Sequence, residues 1–156
     1  MIRGGIVVKI ALIASSGGHL FQLYSLKEFW SDKEHFWVSF PTEDANNMLS
    51  DEKFYRAYYP TNRNLINLVK NFFLAFKILR KEKPDAIIST GAGVAVPFII
   101  AGHIIGVKTL YLESITRNKD LSMSAKLIYP FVDRLLVQWP ELAEKYSKTE
   151  FKGRIV

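Results

Sequence analysis

Three short segments of this sequence carry side chains that could bind or activate an oxygen-rich ligand. They are Ser15-Ser16-Gly17-Gly18-His19, Ser89-Thr90-Gly91-Ala92-Gly93 and Glu113-Ser114-Ile115-Thr116-Arg117. Glycines let the backbone approach a ligand closely, and the free N–H groups at the start of a helix bind anions. The first two segments are therefore candidate phosphate or pyrophosphate loops, and the alternative is that each is a tight turn between a strand and a helix.

Two residues of these segments are candidates for moving a proton. His19 could act as a general base or donate to a phosphate oxygen, or it could be a polar residue that faces solvent. Glu113 is a second candidate base, and its alternatives are an ion pair with Arg117 or a cap of the following turn. His35 and His103 lie apart, and the sequence has no cysteine. This spacing gives no pattern of metal ligands, so we expect no metal site and no cofactor.

Each of the three segments follows an apolar run that resembles a strand. These runs are residues 6–14, 85–90 and 108–113; further strands are predicted at 35–40, 54–59 and 133–138, and 154–156 could be one more. Strands that alternate with helices, without tandem hairpins, predict an α/β fold: a Rossmann-like parallel sheet with helices on both faces. Such sheets bind ligands beyond the carboxyl ends of their strands. We therefore expect the three segments to meet at that edge.

The composition is that of one basic, folded domain. The chain has 156 residues, of which 49% are hydrophobic and 23% charged, and its net charge is +6. We expect a single domain over residues 1–156. A basic surface favours phosphate, nucleic acid or anionic lipid as a partner. No stretch reaches the roughly eighteen apolar residues of a membrane span, and no RNA-binding motif is present, so we expect neither a bilayer span nor nucleic-acid binding.

The longest helical pattern, residues 64–82, has two different faces. At about 100° per residue, one face contains Leu65, Leu68, Val69, Phe72, Phe76 and Leu79, and it is expected to pack on the sheet. The opposite side combines lysines with apolar residues: Lys70, Phe73, Leu74, Lys77, Ile78 and Lys81. This pattern is typical of a helix that contacts an anionic membrane surface. The alternative is a solvated lysine face with stray apolar residues.

Several strings of residues resemble a known family. They are Tyr111-Leu112-Glu113-Ser114-Ile115-Thr116-Arg117, Leu121-Ser122, Tyr129, Val137-Gln138-Trp139-Pro140-Glu141-Leu142 and Gly153-Arg154-Ile155-Val156. With the two glycine segments, they resemble the membrane-recruiting, acceptor-binding subunit of the split UDP-N-acetylglucosamine transferase of dolichol-linked oligosaccharide synthesis. The bacterial relatives of that subunit are PssD- and CpsF-type polysaccharide biosynthesis proteins. More distantly, the chain is similar to the N-terminal half of MurG-type transferases, which implies the N-terminal half of a GT-B glycosyltransferase fold.

The resemblance implies a reaction shared between two chains. This chain would hold a polyprenyl-pyrophosphate-linked sugar acceptor, dock peripherally on the cytoplasmic face of a membrane, and recruit a donor-binding subunit that carries the UDP-sugar. His19 or Glu113 would be the catalytic base. The acceptor-binding residues would be Ser16, Gly17, Gly18, Gly91, Gly93, Ser114 and Arg117.

The resemblance also leads us to expect that this chain is inactive alone, because the other half of the enzyme would be a separate protein. Eukaryotic members carry an N-terminal membrane anchor, whereas only five residues precede the first predicted strand here. Attachment would then rest on helix 65–81 or on the partner.

Two other interpretations stay open. One is a stand-alone nucleotide- or flavin-binding α/β enzyme, although the GxGxxG spacing and an acidic ribose-binding residue at the expected offset are both missing. The other is a scaffold without a catalytic residue. Tight binding of a flavin or nucleotide would identify the first, and tolerance of substitutions at both His19 and Glu113 would identify the second.

Overall fold

A computed structural model describes residues 2–3, 6–61 and 63–155 of the chain. The strands are β1 (Ile2–Arg3), β2 (Ile6–Val7), β3 (Lys9–Ala14), β4 (Glu34–Ser39), β5 (Phe54–Arg56), β6 (Ala86–Gly91), β7 (Lys108–Leu112), β8 (Arg134–Val137) and β9 (Thr149–Phe151). The helices are α1 (Gly18–Tyr24), α2 (Lys27–Trp30), α3 (Glu43–Met48), α4 (Leu65–Glu82), α5 (Ala95–Ile105), α6 (Met123–Ile128) and α7 (Pro140–Lys145).

Seven of these strands form one sheet, and the alternating α/β pattern predicted it correctly. The strand order is β5-β4-β3-β6-β7-β8-β9, and every neighbouring pair is parallel. From β3 the chain first builds the sheet in one direction, through β4 and β5. It then returns to β6 on the other side of β3 and continues outward. The boundary between β3 and β6 is therefore the topological switch point, where open α/β sheets bind their ligands.

Helices cover both faces of the sheet and divide the core in two. Successive residues of a strand point to opposite faces, so Ile13 enters one cluster of buried side chains and Leu12 enters the other. The first cluster packs against α4, α5, α6 and α7, and the second against α1, α2 and α3. Strands buried on both sides need nearly continuous apolar residues, which is why they are recognisable in the sequence.

Three predicted elements differ from the structure. Residues 6–14 form two strands, because β2 pairs with β1 in a separate antiparallel two-stranded sheet and only β3 enters the seven-stranded sheet. The helix expected after the first glycine segment is divided into α1 and α2 around Leu26, whose φ of −83° and ψ of 34° are not helical. The last strand is β9 rather than residues 154–156, since Gln138 binds both Arg154 and Ile155; Val156 lies outside the described residues.

Part of one sheet face is not covered by a helix. On the side of α1 and α2, Ile88, Leu110, Leu112 and Leu136 line a groove of about 360 Å³, which is bounded by α2 and by residues 152–155. We call it the sheet-face groove. Because parallel sheets are ordinarily covered on both faces, the groove is an apolar surface that the described residues leave open.

Candidate functional site

The site begins with an irregularity in the pairing of β3 with β6. The register shifts at Ala14, which pairs with Gly91, so that Thr90 is an extra residue in β6. A bulge of this kind releases the backbone of the extra residue from the ladder and is common beside active sites. The strands stay joined beyond it, because the N–H of Ser15 donates to the carbonyl of Gly91 at 2.7 Å. The Thr90 carbonyl is thereby available to a side chain.

That carbonyl holds the ring of His19. Nδ1 of His19 lies 3.0 Å from the Thr90 carbonyl oxygen, and Oγ1 of Thr90 donates to the His19 carbonyl at 2.6 Å. A carbonyl only accepts hydrogen bonds, so Nδ1 carries the hydrogen and Nε2 of the neutral ring is the acceptor. Among the described residues, Nε2 has no hydrogen-bond partner. The Thr90 carbonyl therefore fixes the orientation of the ring and leaves Nε2 as the atom that can accept a hydrogen bond from a ligand.

Gly91 lets His19 and Tyr111 approach each other. A Cβ added to Gly91 would lie 3.0 Å from Nδ1 of His19 and 2.9 Å from the hydroxyl of Tyr111, and the φ of Gly91 is +111°. Burial raises the pKa of Tyr111, and the neighbouring Glu113 carboxylate adds to this effect. The phenol is therefore a neutral hydrogen-bond donor. Sequence reasoning missed Tyr111, because an aromatic residue in a strand is ordinarily part of the core.

Glu113 closes the loop that follows β7. The residue is 1% exposed; Oε1 accepts from the N–H of Ser114 at 3.0 Å, and Oε2 accepts from the N–H of Ser122 at 2.8 Å. Within the described part of the chain, no ion pair joins Glu113 to Arg117. Of the three interpretations of Glu113, the cap of the following turn is the one that these contacts support.

A single pocket at the carboxyl edge of the sheet contains many of the predicted residues. It has a volume of about 600 Å³, and its lining includes Gly18, His19, Tyr111, Glu113, Ser114 and Arg117. We call it the edge pocket. An acceptor nitrogen, several hydroxyls and a guanidinium around one cavity can bind a sugar and a phosphate together. The described residues contain no cluster of three side chains that could hold a metal ion.

Four predicted binding residues do not line the edge pocket: Ser16, Gly17, Gly91 and Gly93. The N–H of Gly17 donates to the carboxylate of Asp44 at 2.9 Å, which corrects the expectation that this amide is offered to a phosphate. Gly91 lies behind His19, and Gly93 lies against Thr61 with no room for a side chain. The last two glycines therefore shape the loops around the pocket.

Helix α4 turns a different face to the sheet from the one predicted. Its buried residues are Asn71, Ala75, Ile78, Leu79 and Glu82. Two of them, Asn71 and Glu82, are polar, and the sequence pattern did not predict that they face inward. The side chain of Asn71 accepts from the N–H of Tyr58 at 2.9 Å and donates to the Tyr58 carbonyl at 3.0 Å. The helix is consequently rotated by about a quarter turn from the expected orientation.

This rotation corrects part of the predicted membrane contact. Ile78 is 2% exposed and Leu74 is partly buried against the core, so placing them on an outer face was wrong. The side chains of Leu65, Ile66, Val69 and Phe73 are instead 72%, 70%, 46% and 72% exposed. They share the outside of the helix with Lys70 and Lys77, which are also exposed. We call these six residues the α4 outer face; Lys81 is exposed beside it.

The α4 outer face begins at the carboxyl edge of the sheet, the edge that also holds the edge pocket. Helix α4 follows β5 and precedes β6, so its first turns lie at the carboxyl edge of the parallel sheet. Phe21 and Met123, which line the edge pocket, are 65% and 71% exposed at the same edge. Between residues 54 and 81 the sequence contains six basic residues and no acidic one. None of the described helices combines the length and the hydrophobicity needed to cross a membrane.

The sheet order and the pocket at its switch point define one half of a GT-B-like chain. MurG from Acinetobacter baumannii superposes with a TM-score of 0.78 and 19% identity, covering 92% of this chain and 45% of that one. UDP-N-acetylglucosamine 2-epimerase from Rickettsia bellii gives a TM-score of 0.74 and 16% identity, covering 95% of this chain and 45% of that one. At these identities the similarity establishes the fold alone.

Sequence comparison identifies the family. Residues 57–155 match the family described as "Oligosaccharide biosynthesis protein Alg14 like", and the chain belongs to it. The human UDP-N-acetylglucosamine transferase subunit ALG14 is 29% identical over 96% of this chain and 83% of its own length. The subunit of the same name from Yarrowia lipolytica is 36% identical over 63% of this chain and 47% of its own length. The family resemblance of the motifs is confirmed, and kinship with the PssD- and CpsF-type proteins stays a prediction.

Proposed function

We propose that this chain is the acceptor-binding and membrane-docking subunit of a two-chain transferase. The enzyme would move a sugar from a UDP-sugar to a polyprenyl-pyrophosphate-linked acceptor, with UDP-N-acetylglucosamine, which the names of the relatives contain, as the donor. The observation that carries the proposal is His19: its Nδ1 is fixed on the Thr90 carbonyl at 3.0 Å, and its ring lines the edge pocket.

His19 is the proposed general base. As a hydroxyl of the acceptor sugar attacks C1 of the donor sugar, its proton passes to Nε2 of His19. The bond between C1 and the UDP oxygen breaks, and the configuration at C1 inverts. The Thr90 carbonyl stabilises the imidazolium that forms, because it accepts from Nδ1. Arg117, an exposed cation on the rim of the pocket, would bind the pyrophosphate of the acceptor.

The substitution His19→Gln tests this role in the reconstituted two-chain enzyme. Glutamine keeps a donor for the Thr90 carbonyl but supplies no base, so kcat should fall by about 10²–10⁴-fold while the acceptor still binds. His103→Gln is the matched control, since His103 is exposed at the far end of α5. Full activity of His19→Gln would favour the scaffold interpretation.

The two-chain proposal also predicts what the chain does alone. Without a donor-binding subunit it should bind a short-chain prenyl-pyrophosphoryl N-acetylglucosamine but transfer nothing to it. Calorimetry with that compound and a transfer assay with UDP-N-acetylglucosamine measure the two properties. Robust transfer by this chain alone, or tight binding of a nucleotide or flavin, would support the stand-alone enzyme instead.

We propose that the membrane contact is the α4 outer face. Leu65, Ile66, Val69 and Phe73 would enter the interface, and Lys70 and Lys77 would meet anionic headgroups. This orientation sets the edge pocket beside the lipid surface from which a lipid-linked acceptor projects. Location at the cytoplasmic face of a membrane belongs to the same proposal.

Paired substitutions separate this contact from general apolar exposure. Leu65→Asp with Phe73→Asp should abolish sedimentation with vesicles that contain anionic lipid. Ile104→Asp is the matched control, because Ile104 is 64% exposed at the end of α5, at the opposite edge of the sheet. Circular dichroism would verify folding, and unchanged sedimentation of the folded double variant would contradict the proposal.

The donor-binding subunit is proposed to cover the sheet-face groove. Its apolar residues would then be buried as parallel sheets ordinarily are, and the exposed Lys152 and Arg154 would face acidic residues on the partner. Leu136→Arg should prevent co-purification with that subunit, whereas Leu127→Arg, at an exposed position of α6, should not. Equal co-purification of the two variants would exclude the groove.

A further inference from the structure

The motif formed by residues 137–142 has no part in the proposed reaction, although it is among the strings that carry the family resemblance. Its second residue, Gln138, is completely buried. Nε2 of Gln138 donates to the carbonyl of Glu113 at 3.0 Å, and Oε1 accepts from the N–H of Ile155 at 2.7 Å. One amide side chain therefore joins the end of β7 to the segment 153–155.

Neighbouring contacts repeat this connection. Nε of Arg154 donates to the backbone carbonyl of Gln138 at 3.0 Å, and its guanidinium carbon lies 4.3 Å from the centre of the Trp139 indole. The indole N–H of Trp139 donates in turn to the carbonyl of Ile115 at 2.6 Å. The segment 153–155 is thus attached to the rim of the edge pocket in two places, at Glu113 and at Ile115.

The segment 153–155 stands between the edge pocket and the sheet-face groove. Ile155 lines the edge pocket, and the whole segment lines the sheet-face groove. The segment lies beyond the end of β9, so its position depends on Gln138 and Trp139 rather than on strand pairing. A displacement of the segment would therefore change a wall of the edge pocket.

We propose that Gln138 is a positioning residue of the acceptor site, which fixes the segment 153–155 as a wall of the edge pocket and holds the rim at Glu113. This inference rests on the proposed binding of the acceptor in that pocket. The side-chain nitrogen and oxygen of Gln138 both make hydrogen bonds, and a buried polar group that loses its partner destabilises the fold. We therefore expect the pocket rim at Glu113 and the segment 153–155 to be held in place together or displaced together.

Gln138→Met and Arg154→Met test the proposal in the full chain. Gln138→Met keeps the length of the side chain and removes both hydrogen bonds. Arg154→Met removes the hydrogen bond to the Gln138 carbonyl and the contact of the guanidinium with Trp139. Each should raise the amide hydrogen-exchange rates of Ile155 and Ser114. Affinity for the short-chain prenyl-pyrophosphoryl N-acetylglucosamine should fall about tenfold in Gln138→Met and about threefold in Arg154→Met.

A kinetic measurement distinguishes positioning from a loss of structure. With the donor-binding subunit present, Gln138→Met should raise the KM for the acceptor and leave kcat within about twofold. Glu150→Gln is the matched control: it removes an exposed ion pair with Arg134 (3.0 Å) at the same end of the sheet without touching Gln138, and it should change neither constant.

The outcomes separate this inference from the proposed function. If the unmodified chain does not bind the acceptor compound, the proposed function fails. If it binds, and both variants bind within twofold of it, the positioning role is overturned. A fall in kcat at constant KM would overturn it as well. Should Gln138→Met fail to fold, Arg154→Met decides alone, because Arg154 is an exposed residue.

Discussion

Substitution of Glu82 by glutamine is expected to destabilise the chain by about 3 kcal/mol at pH 7 and by very little near pH 2. The Glu82 side chain, at the end of α4, is 3% exposed. It accepts hydrogen bonds from Lys53 at 2.8 Å, Tyr55 at 2.8 Å and Lys9 at 3.1 Å. Burial alone would raise the pKa of this carboxyl, but these bonds outweigh burial and lower it from 4.5 to about 2.

The sign and size of this destabilisation follow from the difference between the pKa of Glu82 in the folded and in the unfolded chain. A carboxyl with a lowered pKa in the folded chain contributes stability that is complete above its unfolded pKa of 4.5 and disappears as the pH falls towards 2. One pKa unit is worth about 1.36 kcal/mol, which gives about 3 kcal/mol for Glu82. Glutamine does not ionise, so Glu82→Gln lacks this contribution at every pH.

Urea titrations at neutral, mildly acidic and strongly acidic pH measure the difference in unfolding free energy. Glu150→Gln is the control: the side chain of Glu150 is 37% exposed in its pair with Arg134, and exposed ion pairs of this kind contribute little to stability. The reasoning is refuted if Glu82→Gln lowers the unfolding free energy by less than about 1 kcal/mol at pH 7. It is also refuted if the difference in unfolding free energy between the two proteins does not decrease in acid.

Three further predictions concern the loops, the core and the lipid contact. Gly91→Ala should lower transfer at least about tenfold in a folded chain, since its Cβ would lie 3.0 Å from Nδ1 of His19 and 2.9 Å from the hydroxyl of Tyr111; undiminished transfer would count against the role of His19. Gly102→Ala should lower the unfolding free energy by about 1–3 kcal/mol, because its Cβ would be 2.5 Å from Cδ1 of Ile87, and leave acceptor affinity unchanged. Unaltered stability in urea would show that the Ile87 side chain or α5 shifts at no cost in stability. Sedimentation with anionic vesicles should weaken as salt rises from about 0.05 to 0.5 M, and binding independent of salt would mean that the lysines of the α4 outer face do not contribute.

The central strands of the parallel sheet, β3, β4 and β6, were predictable because they are buried along most of their length and are therefore largely apolar. The inward face of α4 was not, because Asn71 and Glu82 occupy buried positions and are satisfied by hydrogen bonds to residues distant in sequence. A hydrophobicity pattern counts such residues as outward. Leu65 and Val69, which are exposed, were assigned to the sheet-packing face for the same reason.

The meeting of the three loops followed from the rule that carboxyl ends of parallel strands share an edge. The functions of individual residues did not follow. That the Glu113 carboxylate is occupied by two backbone N–H groups depends on the path of the loop to Ser122. The part of Ile155 in the pocket wall depends on the buried amide of Gln138. No local pattern in the sequence encodes either contact.

The bulge at Thr90 makes the geometry of His19 depend on the number of residues in a strand as well as on their identity. From Ala86 to Gly91, β6 uses one residue more than the segment of β3 with which it pairs. Deleting a single residue from β6 would restore a regular ladder and withdraw the carbonyl that orients the imidazole, while every side chain of the pocket remained in the sequence. A homologue that keeps the histidine and the glycines but lacks this insertion would therefore retain the architecture and lose the fixed orientation of the imidazole.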